Sequence, residues 1–393
     1  MAHGHHAARI VIMFRPLEVT YVNRRDFLAS AGPVALGAVA LSDGSAAANP
    51  AAGRQAVARL SQIKLGTVYR HLDDAHLKAL ARYSVTHVGG PPPIADTNRL
   101  YATVEELERA RDMCAKNSLT YEIVTPPFLA SSHIDHEPHP AIMLADSPER
   151  DRDIESMQTM IKNCAAAGIP AIKYNMSILG VLRIGRVPGR GDATYSKWDL
   201  AEAHPATPLT RAGHVNADMF WERITYFLDR VIPVANEYKV RMACHPQDPG
   251  VPPEGYQGVD RVLGTVDGLK RFITIQESPY HGLNFCQGTI SEMLQRPGEE
   301  IFDVIRYFGS RNKIFNVHFR NIRGHRDNFL EVYPDEGDID FVKAIQVYKE
   351  VGYDGALIPD HVPQAPNDSD DDQSFAYCFG YIRALIQAVN HMT

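Results

Sequence analysis

The sequence lacks several features that would place it in well-known classes of protein. No apolar run reaches the length of about 18 residues that a membrane-spanning helix requires. The net charge of -7 at pH 7 gives no excess of positive charge, which argues against a nucleic-acid partner. The five cysteines are odd in number and widely spread, so they form no disulfide framework. A chain of 393 residues with 45% hydrophobic and 22% charged residues is instead typical of a globular protein with a large core.

The first 50 residues are predicted to be an export leader. Arg24 and Arg25 precede Phe27 and Leu28, a mildly apolar stretch up to residue 41, and the small residues 46–48. This order resembles a twin-arginine signal followed by a signal-peptidase site. The alternative is an Ala-rich tail with an accidental arginine pair. We expect a leader over residues 1–50, a catalytic domain over residues 51–393, and a mature protein that is periplasmic or secreted.

From residue 63 onward, short β-branched runs alternate with longer amphipathic segments, the pattern of a parallel α/β fold. Strands are predicted at residues 63–69, 87–90, 120–125, 171–175, 241–245, 283–286, 314–319 and 356–360. Helical patterns lie between them, for instance at residues 104–116, 149–167, 217–237, 301–307 and 341–351. Eight strands with intervening helices predict a (β/α)8 TIM barrel formed by a single domain.

The sequence leaves a rival fold and an uncertain strand count to consider. A doubly wound open sheet is the rival fold, but it usually carries a glycine-rich phosphate turn after its first strand, and none follows residues 67–69. A ninth apolar run at residues 272–275 makes the strand count uncertain near the sixth strand. Long segments at 126–147 and 177–216 follow strand ends, where barrel enzymes place loops over their sites.

Four consecutive predicted strands end on a residue able to bind a metal ion. These residues are His245, Cys286, His318 and Asp360. Each alone has an ordinary explanation, such as a surface histidine, a small core cysteine or a capping aspartate. The C-terminal ends of barrel strands surround one small space, so four such residues in succession favour a shared metal site. Two imidazoles, a thiolate and a carboxylate suit Mn²⁺, Fe²⁺ or Zn²⁺.

The motifs around these residues resemble the mannonate dehydratase family. They lie at residues 244–249, 278–289, 317–322 and 359–361, with further likeness at residues 147–151 and 174–176. The resemblance runs in order through residues 60–390. It implies a xylose-isomerase-like TIM barrel and a Mn²⁺-dependent hydro-lyase, with Fe²⁺, Zn²⁺ and Mg²⁺ as alternative ions. The reaction it implies converts D-mannonate into 2-keto-3-deoxy-D-gluconate.

The resemblance also implies roles for individual residues. The family's metal ligands fall on the four strand-end residues already named. Its catalytic histidine falls on His361, and Arg320 and Tyr174 match motif positions that make them further catalytic candidates. Its substrate-binding residues fall on Asn175, Asn321 and Arg183. The bound metal would stabilise charge on the substrate carboxylate as the α-proton leaves, and His361 would act as acid or base. The alternative role for His361 is to hold the neighbouring ligand in place.

The sequence departs from the family in the residues expected to surround the substrate. Residues 125–128 read Thr-Pro-Pro-Phe where a Glu-Ser-Val-Pro motif is usual. A tyrosine proposed as the family's second catalyst falls near Gln373, and the nearest tyrosines are Tyr377 and Tyr381. Gln247 stands where a second acid is common. His133, His136 and His139 could replace lost groups or be solvated loop residues.

Two other functions compete with a dehydratase. A sugar isomerase or epimerase on the same barrel would use two metal-bridging glutamates on opposite strands. Strands four and eight end in other residues here, so Glu277 is the single candidate for such a glutamate. The protein could also be an exported, non-catalytic carbohydrate-binding protein in which the metal only stabilises the structure. The partner expected in every case is a small sugar acid or sugar, with no nucleic acid and no membrane span, and a homo-oligomer is left open.

Overall fold

The computed structural model describes residues 62–204 and 208–392. The predicted leader at residues 1–50 lies outside the described residues, so the export signal stays a prediction. Within these described ranges, no helix combines the length and the apolar character needed to cross a membrane.

Eight parallel strands close into a barrel. In chain order, the strands of the described residues are β1 Lys64–Val68, β2 His87–Gly90, β3 Thr120–Val124, β4 Ala171–Asn175, β5 Gly185–Pro188, β6 Thr194–Asp199, β7 Arg241–His245, β8 His281–Cys286, β9 Ile314–His318, β10 Asn321–His325, β11 Asn328–Val332 and β12 Ala356–Ile358. The barrel runs through β1, β2, β3, β4, β7, β8, β9 and β12, and β12 pairs with β1 to close it. The predicted (β/α)8 barrel is therefore confirmed.

Helices cover the outside of the barrel. In the part of the chain that the structure describes, they are α1 Asp74–Arg82, α2 Val104–Lys116, α3 Ala141–Leu144, α4 Glu149–Ala166, α5 Ala217–Tyr238, α6 Val266–Phe272, α7 Gln287–Ser291, α8 Pro297–Gly309, α9 Phe341–Glu350 and α10 Asp372–His391. The ninth apolar run, at residues 272–275, is the end of α6 and the turn after it. It adds no strand to the barrel.

The helices form where polar caps precede an apolar stripe. Asn216 accepts a hydrogen bond from the backbone N–H of Met219 and so starts α5. The buried residues of α5 then recur three or four positions apart, at Phe220, Ile224 and Phe227 and beyond. This spacing places them on one face, which packs against the barrel wall.

Side chains alternate between the two sides of the barrel wall, because successive residues of a strand face opposite ways. Strands β4 and β7 pair Tyr174 with Cys244 and Asn175 with His245. The Tyr174 ring lies 5.4 Å from the ring of Phe227 in α5, so this side chain faces the helices. Asn175 and His245 therefore face the barrel interior.

A second sheet was not predicted from the sequence. Strands β10, β11, β6 and β5 pair in that order, and all three pairings are antiparallel. The sheet joins the long segment after β4 to the segment after β9, so it lies at the C-terminal ends of the barrel strands. It brings residues of β11 to the site described below.

Candidate metal centre and active site

Four side chains with metal-binding atoms converge at the C-terminal end of the barrel. His245, Cys286 and His318 are the last residues of β7, β8 and β9, and Asp360 lies two residues beyond β12. One ligand atom from each residue lies within 4.8 Å of the others. The structure thus brings together the four residues selected from the predicted strand ends.

Close contacts bring the ligand atoms of the group near one another. Asp360 Oδ2 lies 3.2 Å from His318 Nδ1 and 3.8 Å from Cys286 Sγ. The Nδ1–H of His245 donates to the carbonyl oxygen of Pro246 at 2.6 Å, which leaves the lone pair on Nε2. A second hydrogen bond of this kind fixes the ring and the tautomer in many metal-bound histidines.

Burial and neighbouring charges favour the forms of these groups that bind metals. Burial lowers the pKa of His245 to about 4, helped by the charge of Lys173, so its imidazole is neutral near pH 7. Burial by itself would raise the pKa of Asp360, but His318 and His361 hold it well below its usual range. A neutral imidazole and a charged carboxylate are the forms that coordinate an ion.

An unpaired atom supports the fit of an ion to this group. His318 Nδ1 is buried and makes no well-oriented hydrogen bond among the described residues, although Asp360 Oδ2 lies 3.2 Å away. Buried polar atoms nearly always have a partner, so this one needs an explanation. A divalent ion held by His318, Asp360, His245 and Cys286 would provide it. The donor set of two nitrogens, one sulfur and one carboxylate oxygen suits a borderline divalent ion.

Arg320 lies behind the ligands and does not face a substrate. Its guanidinium donates to Glu292 Oε1 and to Asp248 Oδ2, each at 2.6 Å, and its Nε lies 3.4 Å from Asp360 Oδ2. Its side chain is only 2% exposed. The predicted catalytic role of Arg320 does not fit this position, because nothing of the guanidinium is open to a substrate. Its Nε makes no hydrogen bond, but the guanidinium forms an ion pair with Asp360.

Arg183 belongs to the same network of charges. Its Nη1 donates to Asp248 Oδ1 at 2.7 Å and its Nη2 to Glu331 Oε1 at 2.5 Å. Carboxylates occupy both Nη groups while Nε is buried without a partner, and the substrate contact predicted for Arg183 stays a prediction. Arg183, Arg320, Asp248, Glu292 and Glu331 together form a buried arginine–carboxylate network beside the four ligands.

His361 and Glu331 form a hydrogen-bonded dyad beside this network. The Nδ1–H of His361 donates to Glu331 Oε1 at 2.6 Å, while Nε2 lies 3.8 Å from Asp360 Oδ2. Burial by itself would lower the pKa of His361, but Glu331 and Asp360 outweigh it and raise this pKa to about 10. The side chain of His361 is 34% exposed, so the ring is accessible from the site, and its catalytic role stays a prediction. Sequence reasoning missed Glu331, which lies in the unpredicted strand β11.

Two further residues lie elsewhere than predicted. Tyr174 faces α5 from the outer side of the barrel wall, so its predicted catalytic role does not fit. Asn321 donates from Nδ2 to the carbonyl oxygens of Pro334 and Ile339, and its Oδ1 accepts from backbone N–H groups. Its predicted substrate contact does not fit, because its amide is used within the loop. Asn175 is on the interior face at the end of β4, and its role in binding substrate stays a prediction.

The remaining candidates lie outside the four-ligand group. His136 is exposed, and His133 and His139 are half-buried in the same loop. Glu277 is exposed and precedes β8, so it lies at the opposite end of the barrel and cannot serve an epimerase there. Gln247 is buried and bridges the backbone of Met176 and Leu263.

Comparison with known proteins identifies the family. The model of the family described as D-mannonate dehydratase (UxuA) matches residues 201–393, which include the four ligands and the His361–Glu331 dyad. The mannonate dehydratase of Streptococcus uberis is 30% identical, over 54% of this chain and 68% of that protein. The chain belongs to the mannonate dehydratase family. The family's enzyme from Thermotoga maritima is 28% identical over the same shares of the two chains.

Solved structures agree on the fold. The crystal structure of mannonate dehydratase from Streptococcus suis serotype 2 superimposes with a TM-score of 0.68 at 22% identity, covering 83% of this chain and 95% of that one. A xylose isomerase domain protein from Planctomyces limnophilus has a TM-score of 0.53 at 14% identity, covering 84% and 99%. Membership of the mannonate dehydratase family makes the protein a hydro-lyase that acts on a sugar acid and depends on a divalent metal ion.

Proposed function

We propose that the protein converts D-mannonate into 2-keto-3-deoxy-D-gluconate with Mn²⁺ bound by His245, Cys286, His318 and Asp360. The observation that carries the proposal is the four-ligand group with its unpaired His318 Nδ1, in a chain of this family. Fe²⁺, Zn²⁺ and Mg²⁺ are the alternative ions. The names of the relatives support D-mannonate as the substrate.

The reaction transfers the C2 proton to a base and releases the C3 hydroxyl group as water, and the resulting enol becomes the 2-keto acid. A bound divalent ion would supply Lewis acidity for the charge that develops on the substrate carboxylate. His361 would donate its Nε2 proton to the departing hydroxyl group as general acid. Glu331 accepts the Nδ1–H of the same ring and stabilises the imidazolium, as a carboxylate does in other acid–base dyads.

The proposal is tested by a substrate screen with metal analysis. Protein loaded with Mn²⁺ is offered D-mannonate, other aldonic and uronic acids, and neutral ketohexoses, while 2-keto acid formation is followed. We expect turnover of D-mannonate on the order of 1 s⁻¹ or faster, abolished by a chelator and restored by Mn²⁺. Isomerisation of neutral sugars, or binding of acids without any turnover by the loaded protein, would contradict it.

We also propose that the twin-arginine leader exports the protein. Arg24 and Arg25 with the small residues 46–48 support this. Because that route carries folded proteins, the metal could be loaded before export and Cys286 could be protected as a ligand. Cell fractionation tests the proposal: replacing both arginines by lysine should leave the protein in the cytoplasm. Equal distribution of the wild-type and variant proteins would contradict it.

A further inference from the structure

Lys173 faces the interior of the barrel in β4, and it was not among the residues predicted to form the site. It lies in β4 two residues before Asn175 and pairs with Ala243 of β7, two residues before His245. Alternation along the strand puts it on the same side as Asn175, which is the interior. Ala171, two residues earlier in β4, and Ala243, the cross-strand partner of Lys173, pack in the apolar cluster inside the barrel.

The ammonium group of Lys173 has no partner of its own among the described residues. Burial lowers the pKa of Lys173, the negative charges of Asp360 and Cys286 oppose this shift, and the lysine in turn lowers the pKa of His245. Among the described residues, however, its ammonium makes no hydrogen bond and no ion pair. The side chain is half-buried, so it borders a space that solvent can enter. An ion bound by Asp360 and Cys286 would also take up the negative charge of these two groups.

A second buried lysine, next to the start of β9, shows how the fold pairs a structural lysine. Lys313 is 5% exposed, and its Nζ donates to the carbonyl oxygens of Ser278 at 2.8 Å and His281 at 3.2 Å. Its donors are therefore used by the fold. Lys173 has the same chemistry without such acceptors, although enclosing a charge that lacks a partner costs free energy. The missing acceptor must come from outside the chain.

We propose that Lys173 binds the carboxylate of the sugar acid and so selects acids over neutral sugars. The inference rests on the proposed function, because it places the substrate at the same metal centre. A carboxylate provides both the negative charge and the acceptor oxygens that the Lys173 ammonium lacks. The remaining sugar hydroxyl groups would then extend towards His361, which follows β12. In the order of the barrel, the ligand-bearing strands β7, β8 and β9 lie between β4 and β12.

The test replaces Lys173 by Met, which keeps the length of the side chain and removes its charge, and by Arg, which keeps the charge. We expect Lys173→Met to raise KM for D-mannonate by about 10- to 100-fold, the effect of one charge-assisted hydrogen bond, and Lys173→Arg to raise it less. Binding of D-gluconate to the Mn²⁺-loaded protein should weaken by a similar factor, while D-mannitol binding and metal content stay unchanged. The control is Lys78→Met, at a side chain that is 63% exposed.

Thermal unfolding provides an independent measurement. Lys173→Met should unfold at the same temperature as the wild type or higher, because it removes an unpaired enclosed charge. An unchanged KM together with unchanged D-gluconate affinity would overturn the inference. So would a fall in kcat at constant KM, which would make Lys173 a proton-transfer group. If the wild type fails to dehydrate D-mannonate but binds D-gluconate in a Lys173-dependent way, the proposed function fails and the inference stands.

Discussion

Replacing His318 by alanine should remove tight binding of the divalent ion and lower the dehydration rate by at least about 1000-fold. The reason is that His318 provides one of four ligand atoms, which lie within 4.8 Å of one another, and the reaction needs the Lewis acidity of the ion. Metal content after dialysis and the rate of 2-keto acid formation measure the two effects. Cys286→Ala should behave in the same way.

His136→Ala is the matched control, because His136 is an exposed histidine in the loop after β3 and should change neither metal content nor rate. Thermal unfolding of the metal-free proteins shows whether His318→Ala still folds. A folded His318→Ala protein that retains one ion per chain after dialysis, at wild-type affinity, would contradict the ligand assignment.

Replacing His361 by asparagine should lower kcat by about 100- to 10,000-fold, which is the range expected for loss of a general acid. Metal content should stay at the wild-type level. Glu331→Gln should have a smaller effect on kcat but move the pH profile. Glu331 raises the pKa of His361, so loss of its charge lowers that pKa. The acidic form of His361 is lost as pH rises through its pKa, and the alkaline limb of the rate profile should therefore shift to lower pH.

Measurements of kcat and KM across pH, with metal content for each variant, check these expectations. Loss of metal together with activity in His361→Asn would show that the ring only holds Asp360 in place. An alkaline limb that stays where it is in Glu331→Gln would contradict the dyad, since the 2.6 Å hydrogen bond and the charge act on the same ring.

The barrel could be predicted because its information is local. Each barrel strand is a short run with apolar residues, a helix lies between it and the next barrel strand, and each ligand is at or just beyond a strand end. The second sheet could not be predicted in this way. β5, for example, reads Gly-Arg-Val-Pro, which is typical of a loop, and its neighbour β6 pairs with β11, more than a hundred residues away.

The difference between local and long-range information also explains which site residues could be predicted. Tyr174 and Asn175 are adjacent, yet only one of them can face the interior, and the strand's alternation decides against Tyr174. Glu331 depends on the unpredicted hairpin and carries no local signal. Lys173 did carry one: it is a lysine in an apolar strand, two positions before a residue predicted to face the site.

The most direct test of the account is X-ray absorption spectroscopy of the Mn²⁺-loaded protein at the manganese edge. We expect one Mn²⁺ ion per chain, with a single sulfur atom among the nitrogen and oxygen atoms around it. Cys286→Ser should remove that sulfur atom from the spectrum. A wild-type spectrum with nitrogen and oxygen neighbours alone, or a sulfur neighbour that persists in Cys286→Ser, would contradict it.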